Sequence, residues 1–160
     1  GYYLISTYRY GGEGEIEKNG VKEKITIPPR HVLTQAGAFI QVTITHPRTI
    51  HEQYKKESKQ VPSITVNALI DTGASGSVIT PRVAEQLELI HTGYQKVSSV
   101  QDEQNRPVYY AMIRFPWGKG KEIPMVSCPL KNFDCLIGRD ILQHWYLTYH
   151  GTDGSITICD

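Results

Sequence analysis

Charge of one sign is scarce in this chain of 160 residues, where 17 Lys and Arg stand against 16 Asp and Glu for a formal net charge of +1. Without a strong field, nucleic acid and membrane surfaces are not expected partners. Long apolar runs are missing as well. None reaches the roughly 18 residues that a membrane-spanning helix needs, and the opening GYYLISTYRYGGEGEIEKNG lacks the basic-then-apolar order of a signal peptide. A chain that starts on Gly1 rather than Met reads as a cloning scar or as a segment of something longer. Cysteine is sparse: Cys128, Cys135 and Cys159 are odd in number and have no C-x-x-C spacing, so zinc and disulfide-exchange sites are not expected. Reduced thiols imply the cytoplasm or another reducing compartment. The six histidines contain no H-E-x-x-H pattern and read as structural or surface residues, with no metal and no cofactor implied. No internal repeat or low-complexity tract is present.

What the chain does contain is a succession of short alternating segments. GEIEKNGVKEKITI carries Asn19-Gly20 between two strand-like arms, a strong signal for a type I′ hairpin. AFIQVTITH alternates around Ile40, Val42 and Ile44. PRTIHEQYKKESKQVPS, polar and bounded by prolines, predicts a long exposed loop or a short helical excursion over 47–63. ITVNALI then reads as a buried strand running into Asp71. YQKVSSV, PVYYAMIRF, KEIPMVSC and GSITICD are further strand candidates, with the rhythm of a barrel or sandwich. Two places read as helical. Thr80-Pro81 offers an N-cap and a proline at the first helical position, followed by Val83, Ala84 and Leu87 on one face. RDILQHWYL places Ile141, Leu142 and Trp145 on one stripe.

The segment ALIDTGASGSVIT sets one carboxylate, Asp71, between an apolar strand and a string of small residues. By itself Asp-x-Gly is an ordinary turn, because Asp bonds its own backbone and Gly accepts positive φ. A second apolar strand, in DCLIGRDILQHW, ends in Gly138-Arg139-Asp140. The bland reading of this one is a glycine turn ahead of a helix, with Asp140 capping it or lying in its first turn.

Taken together, the two motifs and the hairpin between them resemble the retropepsins, the retroviral-type aspartic proteases, over about Phe39 to the C-terminus. The resemblance implies an all-β acid-protease fold: a single-lobed, closed, barrel-like domain with one or two short helices. It divides the chain into an N-terminal hairpin or extension over 1–30 and a protease domain over 31–160. It implies an aspartic endopeptidase in which two subunits of a homodimer each contribute Asp71 to a dyad, acting on an extended polypeptide. Two carboxylates sharing a proton can take one proton and give another, which amide hydrolysis requires.

Support for that site falls to Thr72, Gly73, Ala74, Ser75, Gly138 and Arg139. In the family, the threonine interlocks the two catalytic turns. Many viral members pair the arginine with an acid where this chain has Ser75, so Arg139 has backbone carbonyls, Asp140 or a group across the dimer interface as its possible partners. The hairpin in KVSSVQDEQNRPVYYAMIRF, with a polar tip at Gln101 to Asn105, corresponds to the substrate-covering flap, assigning Ser99, Val100, Gln101, Asp102 and Glu103 to substrate contact. Ile156 and Ile158 of GSITICD suit a terminal strand that pairs between subunits, as in this family, or a core-facing edge strand within one. The rival from another class is a catalytically silent peptide-binding or dimerisation module with the same fold.

Overall fold

The computed structural model describes residues 3–98 and 103–160. They form two compact units, one of residues 1–38 with 144–160 and one of residues 39–143.

The first unit holds strands β1 (Ile5–Arg9), β2 (Gly12–Lys18) and β3 (Val21–Ile27), helix α1 (Pro29–Ala36), and strands β11 (Tyr146–His150) and β12 (Ser155–Cys159). β2 and β3 form the hairpin that Asn19-Gly20 predicts: both residues take positive φ, 54° and 77°, as a type I′ turn demands. α1 lies where no helix is expected from the reading above; it starts with a proline at its first turn and buries Leu33. β12 runs antiparallel to β1 on one side and β11 on the other, and Ile156 and Ile158 are fully buried. Both backbone edges of this strand are therefore occupied within the chain. It is neither an edge strand nor free to pair with a second subunit, and the free edges of this sheet belong to β1 and β11.

The second unit contains β4 (Phe39–Thr45), α2 (Arg48–Lys56), β5 (Ser63–Ile70), β6 (Val78–Ile79), α3 (Pro81–Leu87), β7 (Ile90–Ser98), β8 (Glu103–Arg114), β9 (Gly120–Ser127), β10 (Cys135–Ile137) and α4 (Arg139–Leu142). Strand order is β4-β5-β10-β6-β9-β8-β7, and an extra pairing of β4 with β8 closes the sheet on itself. The all-β class and the closed barrel are as expected, with β7 attached outside the ring through β8. Inside it, Ile44, Ala68, Ile79, Ala111, Ile113, Met125, Cys135 and Ile137 are wholly buried, each large aliphatic side chain contributing about 1.5–3 kcal/mol. Burial pushes the Cys135 thiol far up from its ordinary pKa, so it stays protonated.

Helices are short. α2 occupies the segment read as a loop or helical excursion. α3 begins at Thr80-Pro81, but the Thr80 hydroxyl makes no cap; it donates instead to Asp134 Oδ1 at 2.7 Å. α4 stops after one turn at Leu142, and the stretch read as helix continues through turn residues 143–145 into β11 from Tyr146. Tyr146, Leu147, Thr148 and Tyr149 favour a strand, and pairing with β12 supplies the backbone partners that decide the matter. His46 is buried and joins its Nε2 to the Leu87 carbonyl at 2.6 Å, a structural role.

Candidate active site

Parallel pairing of β5 with β10 sets Ile70 beside Ile137, so the two motifs leave the barrel side by side. The ladder continues one step further, with the Asp71 amide donating to the Ile137 carbonyl at 2.9 Å. Asp71 then folds its carboxylate back: Oδ1 accepts from the Gly73 amide at 2.8 Å, and the Asp71 carbonyl accepts from Ala74 at 3.3 Å. Asp71 is half-buried, while the Thr72 side chain is exposed.

Five contacts lock this loop to the second motif. The Arg139 amide donates to the Ala74 carbonyl at 2.8 Å, and its guanidinium Nη1 donates to the Thr72 carbonyl at 2.8 Å. Of the partners open to Arg139, a backbone carbonyl is the one taken. Gly138 lies so close to Gly76 that a Cβ there would sit 2.6 Å from its backbone. The φ of Gly138 is an ordinary −97°, so space rather than conformation requires glycine. Finally, the buried Ser77 hydroxyl donates to Asp140 Oδ1 at 2.7 Å and accepts from the Gly138 amide at 3.1 Å.

Asp140 is consequently saturated. Its Oδ2 accepts the Ser77 amide at 3.0 Å, and Oδ1 also accepts the Ile141 amide at 2.9 Å. A carboxylate holding three donors clasps the two motifs together. Asp140 lies at the helix start, as its sequence position implies, but Ser77 leaves no local signal, because its partner is 63 residues away.

Below this clasp a second carboxylate anchors α3. Asp134 accepts from Arg82 Nη2 at 2.6 Å and from the Thr80 hydroxyl. The Arg82 hydrogen bond, then that of Thr80, hold its carboxyl below the usual carboxylate range.

A cleft of about 420 Å³ opens beside the Asp71 loop, lined by Gly73 to Gly76, by Gln95 to Ser98 of β7, and by Val78, Val126, Cys128 and Leu130. Gly73, Ala74 and Ser75 thus face the cavity, whereas Gly138 and Arg139 brace the loop from behind. Ser98 pairs with Glu103, and Glu103, Gln104 and Asn105 belong to β8 rather than to the tip. Glu103 is exposed, and its Oε1 accepts a long 3.4 Å bond from Ser98. Ser99, Val100, Gln101 and Asp102 lie outside the described residues. Among the described residues, no three His, Cys, Asp or Glu side chains converge to hold a metal ion, and no helix is long and apolar enough to cross a membrane.

A closed barrel whose two parallel strands deliver an Asp-Thr-Gly loop and a Gly-Arg-Asp turn to one clasp defines the aspartic-protease type. The family model described as "gag-polyprotein putative aspartyl protease" matches residues 60–144, and the chain belongs to this retropepsin-like family. Among solved structures, a retropepsin-like aspartic protease from Rickettsia conorii is similar over 98% of this chain and 94% of that chain, at 14% identity and a TM-score of 0.48. No curated protein sequence matches the chain.

Proposed function

We propose that the protein is an aspartic endopeptidase, active as a two-fold homodimer in which each subunit supplies one Asp71. The observation that carries this reading is the Asp71 loop, held rigid from behind and open in front to a cleft walled by β7. Catalytic groups gain most when their geometry is fixed before substrate arrives.

The chemistry requires two acids. A water between the carboxylates attacks the scissile carbonyl carbon while one carboxylate takes its proton, and the other, protonated, gives its proton to the carbonyl oxygen. The resulting tetrahedral diol collapses as the amide nitrogen receives a proton and the C–N bond breaks. The chain has one Asp-Thr-Gly, and Asp140 of the adjoining motif is already engaged by Ser77 and Ile141. The second carboxylate is therefore assigned to a second copy, which makes the interface isologous. Exposure of the Thr72 side chain fits an interlock with the same residue of that copy. The substrate is an extended polypeptide bonded strand-fashion along β7, whose outer edge lies unpaired among the described residues. Reduced thiols suit a cytoplasmic or other reducing setting.

Asp71→Asn tests the assignment. It keeps the side-chain volume and an acceptor for the Gly73 amide but removes the proton acceptor, so cleavage of an unstructured polypeptide falls by at least about 10²–10⁴-fold. A folded variant that cleaves near the wild-type rate refutes it. An inert wild type, tested above its dimerisation range, would favour the silent binding module instead.

A further inference from the structure

A larger cavity, about 640 Å³, lies elsewhere in the second unit, between α2 and the turn joining β8 to β9. Its charged lining consists of Arg48, Arg114 and Lys121 with Glu52 and Glu122, three cations against two acids, and His51 stands among them. None of the three cations forms an ion pair with a described carboxylate. Arg114 turns one guanidinium nitrogen toward the Met112 sulfur at 3.7 Å, and the Glu122 carboxylate is used by a backbone group, its Oε1 accepting from the Arg48 amide at 2.8 Å. That amide is the first of α2, a nine-residue helix with no side-chain cap. The anionic oxygen bound at this helix start is thus supplied by the chain itself, beside three cations that have no carboxylate partner among the described residues.

We propose that this cavity binds a phosphate-bearing small molecule of about nucleotide size, its phosphoryl oxygens taking the place that the Glu122 carboxylate holds and reaching Arg48, Arg114 and Lys121. Phosphate oxygens satisfy guanidinium forks and an ammonium together, which a lone carboxylate cannot. The volume lies within the range of about 300–1,000 Å³ common to small-molecule sites. The inference is independent of the peptidase reading, because none of the cavity's charged residues belongs to the Asp71 loop or its clasp.

The competition with Glu122 gives the test an unusual sign. Titrate the whole protein with inorganic pyrophosphate and, separately, with ATP by calorimetry at low salt. Saturable binding of both indicates recognition of the polyphosphate alone; binding of ATP only indicates that the nucleoside also fits. Lys121→Glu and Arg114→Glu each weaken binding by at least about tenfold, while Lys131→Glu, an equal charge change outside the cavity, leaves it unaltered. Glu122→Gln tightens binding by about fivefold, because it removes a competing anion. Should Arg114→Glu fail to fold by circular dichroism, Arg114→Gln replaces it. Absence of saturable binding by either probe overturns the proposal, as does binding that Lys121→Glu leaves intact or that Glu122→Gln weakens.

Discussion

Replacing Ser77 by Ala removes one oxygen that serves two partners on the opposite motif, and its cost can be worked from the geometry. The hydroxyl donates to the Asp140 carboxylate at 2.7 Å, a bond to a charged group worth about 1.5–3 kcal/mol. The same oxygen accepts from the Gly138 amide at 3.1 Å, and stranding that buried N–H costs about 1–3 kcal/mol more. Asp140 keeps the Ser77 and Ile141 amides, so its charge is not abandoned, and the two losses share a partner and do not fully add. The expected destabilisation is about 2–5 kcal/mol. With a urea slope of about 2 kcal/mol per molar, the unfolding midpoint falls by about 1–2.5 M. A cycle with Asp140→Asn isolates the direct pair. The reasoning is refuted if Ser77→Ala unfolds within 0.5 M of the parent, or if the cycle shows the two sites acting independently, because the clasp would then hold without the bond assigned to it.

Gly138→Ala places a methyl 2.6 Å from the Gly76 backbone, and relief must come from separating the two motifs. Loss of at least about 3 kcal/mol and of peptidase activity together is expected in a melt and a cleavage assay, whereas Gly93→Ala, where a Cβ meets nothing within 4 Å, changes stability by about 0.5 kcal/mol or less. Because Asp134 binds fewer protons folded than unfolded, its contribution to stability is complete above the ordinary carboxylate pKa and fades as pH falls through the depressed folded value. Asp134→Asn should therefore flatten the acid limb of a stability-against-pH curve, and an unchanged limb would contradict the Arg82 and Thr80 assignments. Finally, specific peptidase activity should fall on dilution in step with dimer dissociation followed by sedimentation; a fully active monomer rules out a shared dyad.

Local chemistry carried much of this fold into view. Asn19-Gly20 has a single good backbone solution, and alternation from Phe39 to Thr45 marks one strand whatever its neighbours do. The proline rule that locates α3 at Pro81 applies equally at Pro29, where Val32, Leu33 and Ala36 complete a helical stripe, so α1 is legible in the sequence by the same rule. The end of α4 was not legible. Ile141 and Trp145 are both buried, as a helical stripe requires, yet only the first lies on a helix, because burial pattern cannot distinguish one turn followed by a strand from a continuous helix. At the site, Asp71 declares itself through its small neighbours. Ser77 does not, since its importance arises only when residues 137–141 arrive beside it.

That arrival has a schedule. Residues 71–77 are synthesised first and await partners 63 positions downstream, a delay of about 3–13 s at ordinary elongation rates. Until Gly138, Arg139 and Asp140 leave the ribosome, Thr72 and Ala74 lack the donors that fix their carbonyls, and Ser77 lacks its carboxylate. Pairings as remote as Ala68 with Cys135 are also slow to form once available. Until translation has passed the second motif, the Asp71 loop of a nascent chain therefore lacks the contacts that hold its geometry in the folded protein.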